Sequence, residues 1–235
     1  MILNIKQNLT WRWLVSVFVM LSMLVISGCG DKEPRQRSAF IIFLQTEIIN
    51  KNRLNLPVLN SEQVESFGDY ASHYQMLADF NNELNTAFTP LAASLQSFRA
   101  MTSVKEMVDN RDNVQETLTQ INDSAAKLTE LTQRIEQQKA TLVQPDELNV
   151  PFDRAYNKIV TQQTESAKEG FPLLSNLFTD ALALIDFVKS KGDSVRYVGS
   201  GIEFSSQEDV NTFNELNAKL QQAQHDYLSF SQQGR

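Results

Sequence analysis

A mainly α fold, a helical bundle carrying one short β-hairpin, is what this chain predicts, and three observations predict it. Helix breakers are scarce: 8 Gly and 6 Pro in 235 residues. Apolar residues recur at helical spacing along most of the chain, with Gln, Asn, Ala and Leu abundant, a mixture for which helix is the favoured backbone state. One stretch, residues 195–204, instead places β-branched and aromatic residues around glycines.

Residues 1–28 read as a lipoprotein signal peptide rather than as part of the fold. The head carries Lys6 and Arg12 and no acid, and residues 13–26 are uncharged and rich in Leu, Val and Met. A run of that length fits the roughly 7–15 residues of a signal's apolar segment and falls short of the about 20 that span a bilayer. Ser27 and Gly28 are the small residues a cleavage site needs, and Cys29, the sole cysteine, follows. Ordinary cleavage would leave a lone exported thiol in an oxidising compartment. An uncleaved anchor would need a span from Trp11 past Cys29. Lipidation explains the cysteine, its place and the small residues together, with cleavage between Gly28 and Cys29 and acyl chains on Cys29. Each buried methylene contributes about 0.8 kcal/mol and one chain is marginal, so two or three chains anchor effectively permanently. Gly30 directly after the cysteine favours the outer membrane; Asp31, one place later, leaves the inner membrane in play. Residues 29–39 then form a charged tether and residues 40–235 a single helical domain.

The first helix is expected from about Pro34 to Asn50. Its apolar residues Phe40, Ile41, Phe43, Leu44, Ile48 and Ile49 cover more than one face, so neighbours must bury it. Residues 54–59, with Pro57, read as an extended connector. Asn60 with Gln63 forms a capping box, and a helix follows to about Phe88, with a break at Gly68. Thr89-Pro90 predicts a new helix start. Ser103 and Glu106 form a second capping box, ahead of one long helix from Val104 to about Leu142. Its stripe Val114, Leu118, Ile121, Ala125, Leu128, Leu131 and Ile135 is close to a heptad pattern. Pro145 and Pro151 punctuate the next connection, a possible seam in the domain. Phe152, Tyr156, Ile159 and Val160 give a further helical face. Residues 171–188 form the central core helix, stopped by Gly192 after Lys189 and Lys191. The hairpin follows with a three-residue loop at 199–201. Ser205 with Glu208 caps the last helix, whose stripe is Val210, Phe213, Leu216, Leu220, Ala223, Tyr227 and Phe230; residues 231–235 are expected to fray.

Charge narrows the partners. The chain carries a net charge of -7, and removing Lys6 and Arg12 with the leader makes it more acidic still. A nucleic-acid backbone needs clustered Lys and Arg, and a broad contact with anionic lipid heads needs the same. The expected partners are therefore the membrane, through the lipid on Cys29, and another envelope protein, with no nucleic acid. Nothing in the chain sets an oligomeric state.

Catalytic and metal chemistry find little footing, and no cofactor site is expected. His73 follows Ser72, but helix neighbours point about 100° apart and do not face each other, so His73 is read as a half-exposed surface histidine. A zinc site needs several close His, Cys or carboxylate ligands; Cys29 is taken by lipid and His225 is far along the chain. Glu62 with Glu65, and Glu208 with Asp209, could suggest a glycosidase pair, yet first-turn acids serve the helix dipole. Residues 199–201 lack the Lys and following helix of a phosphate loop. Phe40, Phe43, Phe171, Phe178 and Tyr227 are expected in the core.

With these segments in view, the chain resembles the YiaF-type family of envelope lipoproteins, a domain of unknown function. The matching residues are Ser27-Gly28-Cys29, Asp31-Lys32-Glu33, Gln36-Arg37, Ala39-Phe40-Ile41 and Phe43-Leu44-Gln45. Leu56-Pro57, Gln63, Phe67-Gly68, Tyr74, Phe152-Asp153, Ala155, Lys158, Val160, Gly201-Ile202 and Phe204 continue it. The resemblance implies lipoprotein status and a helical fold, and brings no activity, ligand or catalytic residue.

Three functions are carried forward in order of support. The first is a non-enzymatic, lipid-anchored, periplasm-facing protein that docks another envelope component through its long helix. The second is a binding module for a hydrophobic or cell-wall ligand, with a pocket between the 171–188 helix and the last helix. The third is a hydrolase using carboxylates or His73.

Overall fold

A computed structural model describes residues 32–199 and 201–233. Gly28, Cys29 and the rest of the leader lie outside the described residues, and so does the expected lipidation. The described chain is mostly helical with one two-stranded antiparallel sheet, as the sequence predicts.

Helix α1 (Lys32–Phe43) starts within the expected tether and continues through a π-helical turn, Leu44–Ile49. The expected box opens α2 (Ser61–Phe67): Asn60 Oδ1 accepts from the Gln63 N–H at 2.8 Å, and Gln63 Oε1 accepts from the Asn60 N–H at 3.0 Å. Gly68 breaks the helix as expected, at φ 56. The backbone angle calls for glycine; a Cβ there would also have to push aside the end of the Gln36 side chain.

Helix α3 (Tyr70–Arg99) runs through Pro90, and the helix start expected at Thr89-Pro90 is absent. Thr89 does not cap: its hydroxyl donates back to the Asn85 carbonyl at 2.8 Å. Proline removes one backbone bond, but the flanking Leu84 and Leu91 are both buried, and their burial holds the helix continuous.

The long helix expected from Val104 is two, α4 (Val104–Asp109) and α5 (Arg111–Ala140). Asn110 separates them because its amide donates to the Glu106 carbonyl at 2.8 Å, giving the backbone an alternative to the helical ladder. Half of the second capping box forms. Ser103 Oγ accepts from the Glu106 N–H at 3.2 Å, while the Glu106 carboxylate turns to the Thr102 N–H at 2.6 Å.

Helix α6 (Asp146–Tyr156), a π-helical segment (Asn157–Thr161) and α7 (Gln162–Ser190) form one unbroken helical run. Pro151 thus lies inside a helix instead of punctuating a connection; Leu148 and Phe152 beside it are fully buried. Gly192, at φ 49, follows the end of α7 as expected.

Strands β1 (Val195–Val198) and β2 (Gly201–Phe204) pair with Val195 opposite Phe204 and Val198 opposite Gly201. Gly201 therefore belongs to the strand rather than to a three-residue loop, and Gly199, at φ 61, adopts the left-handed conformation that glycine allows at a turn. Ser206, not Ser205, caps α8 (Gln207–Gln233), its Oγ accepting from the Asp209 N–H at 3.1 Å. Ser205 is drawn into the hairpin, donating its N–H and its hydroxyl to the Ser194 carbonyl, each at 3.1 Å. α8 continues past Ser231, through residues expected to fray.

Contacts cluster into two compact units within the span expected as one domain. One holds the described residues up to Gln75 with Gln144–Ala155; the other holds Met76–Val143 and the described residues from Tyr156 onward. The core of the first is aromatic. Phe67 meets Phe40 at 5.5 Å and Phe43 at 5.1 Å between ring centroids, and Phe43 meets Tyr74 edge-on at 5.0 Å. The core of the second is built on α7, which packs against both α5 and α8.

The α5 stripe is buried, with a shift of phase. Val114, Ile121, Leu128, Leu131 and Ile135 are covered, but Thr117 and Ser124 share their face, while Leu118 and Ala125 are only half-buried. Hydroxyls fit this seam because they bond within their own helix: Thr117 donates to the Asn113 carbonyl at 2.8 Å and Thr132 to the Leu128 carbonyl at 2.7 Å.

Candidate functional site

Within the second unit, four helices leave a cavity of about 320 Å³. α3 contributes Leu95, Phe98 and Arg99 at its C-terminal end, with Met101 just beyond; α4 contributes Met107. Leu174, Leu177 and Phe178 come from α7, and Leu220, Gln224, Tyr227 and Leu228 from α8. Local spacing explains the α8 wall, since residues three, four, seven and eight apart share one helix face. Phe178 is held at its place by Phe98, with ring centroids 4.4 Å apart. Phe88 against Phe171, edge-on at 5.3 Å, and Arg134 to Glu83, at 2.6 Å, hold α3 to α7 and α5.

The lining is almost wholly apolar, with three polar exceptions: Arg99, Gln224 and Tyr227. Their side chains make no hydrogen bond or ion pair with any described residue. Arg99 stands out among the described arginines of its unit. Arg111 pairs with Asp186, Arg134 with Glu83 and Arg196 with Glu203, each at 2.5 or 2.6 Å. A second, more polar cavity of about 250 Å³ shares Phe98 and Met101 with the first and adds Ser94, Ser97, Asn113 and Glu116.

The histidine and carboxylate candidates do not assemble. His73 is buried, not half-exposed: Tyr70 and Phe152 stack edge-on against its ring at 5.5 and 6.1 Å, and its Nδ1 lies 3.0 Å from the Gln144 amide. Burial holds the imidazole below its ordinary pKa, with the Asp69 carboxylate pulling the other way. Ser72 is exposed and donates to the Asp69 carbonyl at 2.7 Å. Glu62 and Glu65 are exposed on α2, and Asp209 pairs with Lys191 at 2.6 Å. Among the described residues, no group of three or more His, Cys, Asp or Glu is placed to hold a metal. The run Asp146–Ser190 is long and apolar enough to cross a membrane by composition; its apolar residues within α7 supply core of the second unit.

Sequence patterning names the two principal walls of the cavity, α7 and α8. It misses Arg99 and Gln224. The signal was there: Arg99 closes a helix with no acid three or four residues away on either side, and Gln224 interrupts the apolar stripe of α8.

The family model "Protein of unknown function (DUF3053)" matches residues 17–234. The chain belongs to the DUF3053 family. Among its relatives, "Uncharacterized protein YiaF" of Escherichia coli strain K12 is 29% identical over 216 residues, covering 91% of this chain and 90% of the relative. The YiaF proteins of E. coli O157:H7 and Shigella flexneri match to the same extent. No solved structure matches the chain significantly. Neither the family description nor these names assign an enzymatic activity to a DUF3053 protein.

Proposed function

We propose that this protein is a non-catalytic, lipid-anchored binding module of the bacterial envelope, facing the periplasm, that holds a hydrophobic ligand between α3, α7 and α8. The observation that carries the reading is the apolar cavity of about 320 Å³, a volume at the lower end of the about 300–1,000 Å³ typical of ligand sites. The order of the carried-forward functions changes with it. The heptad stripe that suggested a docking partner is largely buried, whereas the apolar cavity is open to a ligand. Anchoring rests on the leader and on Cys29, with the outer membrane favoured by Gly30.

Two measurements test the proposal. Labelled palmitate is incorporated by the wild-type protein and lost in Cys29→Ala; incorporation that survives the substitution removes the anchor. In membranes, a long-chain alcohol bearing a photoreactive diazirine labels peptides of α3, α7 and α8 saturably, and Leu220→Trp, which fills the cavity from a half-buried wall, abolishes that labelling. Absent or unsaturable labelling overturns the cavity reading. A co-purified envelope protein with no such labelling restores the docking reading.

A further inference from the structure

Resting on that reading, we infer that the ligand is a single-chain amphiphile with a carboxylate head, its chain in the cavity and its head on Arg99. Charge is the first argument. Arg99 lines an apolar cavity with no acidic residue in its wall, and it is the one described arginine of its unit that faces no carboxylate. A guanidinium binds a carboxylate through two parallel N–H···O bonds, a stronger contact than a neutral hydrogen bond.

The neighbours of Arg99 suit the same head. Gln224 and Tyr227, three residues apart on α8, present an amide and a phenol without partners among the described residues. These are neutral donors, so the site supplies one formal positive charge. A carboxylate matches it. A phosphomonoester, with about -1.5 to -2 charges at neutral pH, would leave negative charge uncompensated in a chain that is already acidic. The cavity volume limits the rest of the ligand. At about 320 Å³ it takes one chain rather than two, and Met101 and Met107, unbranched and polarizable, adapt to chains of different length.

The test uses the lipidated protein in phosphatidylcholine nanodiscs and three long-chain diazirine probes of matched length: a fatty acid, the alcohol and a lysophosphatidic acid. The fatty acid should label the cavity peptides at about tenfold lower concentration than the alcohol, the factor expected of one charge-assisted pair. Arg99→Gln should erase that preference, so that acid and alcohol label the variant at equal concentration, with the thermal melt unchanged because the Arg99 side chain is exposed and pairs with no described residue; Arg99→Lys should restore part of the preference. Equal labelling by acid and alcohol in the wild type would overturn the head-group assignment and leave the cavity reading standing. Preference for the lysophosphatidic acid would replace the carboxylate by a phosphate. If no probe labels the cavity, both readings fail together.

Discussion

The polar side chains beside the aromatic core of the first unit and those lining the cavity of the second are partnered in opposite ways. In the first, the polar tips of Tyr70, His73, Tyr74 and Arg37 are answered from within. Tyr74 donates to the Pro57 carbonyl at 2.6 Å, Tyr70 to the Glu33 carboxylate, His73 meets Gln144, and Arg37 meets Glu147 at 3.0 Å. Burial, with Glu33 second, pushes the Tyr70 phenol up to about 12. In the second, Tyr227, Gln224 and Arg99 line an apolar cavity and are answered by nothing described in the protein. The difference teaches where to look for function. A buried polar group that is satisfied internally specifies structure, whereas solvent-accessible polar groups around a cavity that no described residue engages are open to a ligand.

If that contrast holds, the largest effects belong to the closed core. Phe152→Ala removes a fully buried ring and should cost about 3–5 kcal/mol, read as a lowered urea midpoint for the first unit. Retention of the wild-type midpoint would mean that this core is not close-packed. Next comes Gly68→Ala, which forces a side chain into a positive-φ position against Gln36; about 1–3 kcal/mol should be lost, measured in the same way.

An acid titration should sharpen the comparison. His73 has a lowered pKa in the folded state, so its contribution is fully present above the unfolded value of about 6.5 and is lost as pH falls through the folded value. The urea midpoint should decline as pH falls below about 6.5, and His73→Phe should flatten that decline. An equal decline in the variant would assign the effect to carboxylates instead.

The smallest effect has the opposite sign. Leu220→Phe, which adds bulk to the cavity wall, should raise stability by about 0.5–2 kcal/mol, as cavity filling commonly does, while weakening probe labelling. A destabilised variant would mean that the cavity has no room to fill. Gain in one readout with loss in the other is what a retained binding cavity predicts.

Much of the fold was legible in the sequence because its signals are local. The Asn60–Gln63 box, the Gly68 break, the Gly192 stop and the hairpin at 195–204 each depend on a few neighbouring residues, and each is present in the structure. The misreadings also share a cause. By sequence Pro90 and Pro151 read as boundaries, since proline opposes a helix locally; in the folded chain the buried leucines around Pro90, and Leu148 and Phe152 around Pro151, outweigh the lost hydrogen bond. Asn110 erred in the other direction, its side-chain bond to Glu106 ending a helix that propensity would have continued.

The sequence by itself determined the helical class, the β-hairpin, the residues of α7 and α8 that turn inward, and the expectation of a lipid anchor at Cys29, because periodicity, capping and a motif are properties of adjacent residues. The tertiary structure alone decided that His73 is buried, that Thr117 and Ser124 take the covered face of α5, and that Arg99, Gln224 and Tyr227 share one cavity. Those outcomes depend on which side chains from distant parts of the chain meet, or fail to meet, and no local spacing encodes a void between helices.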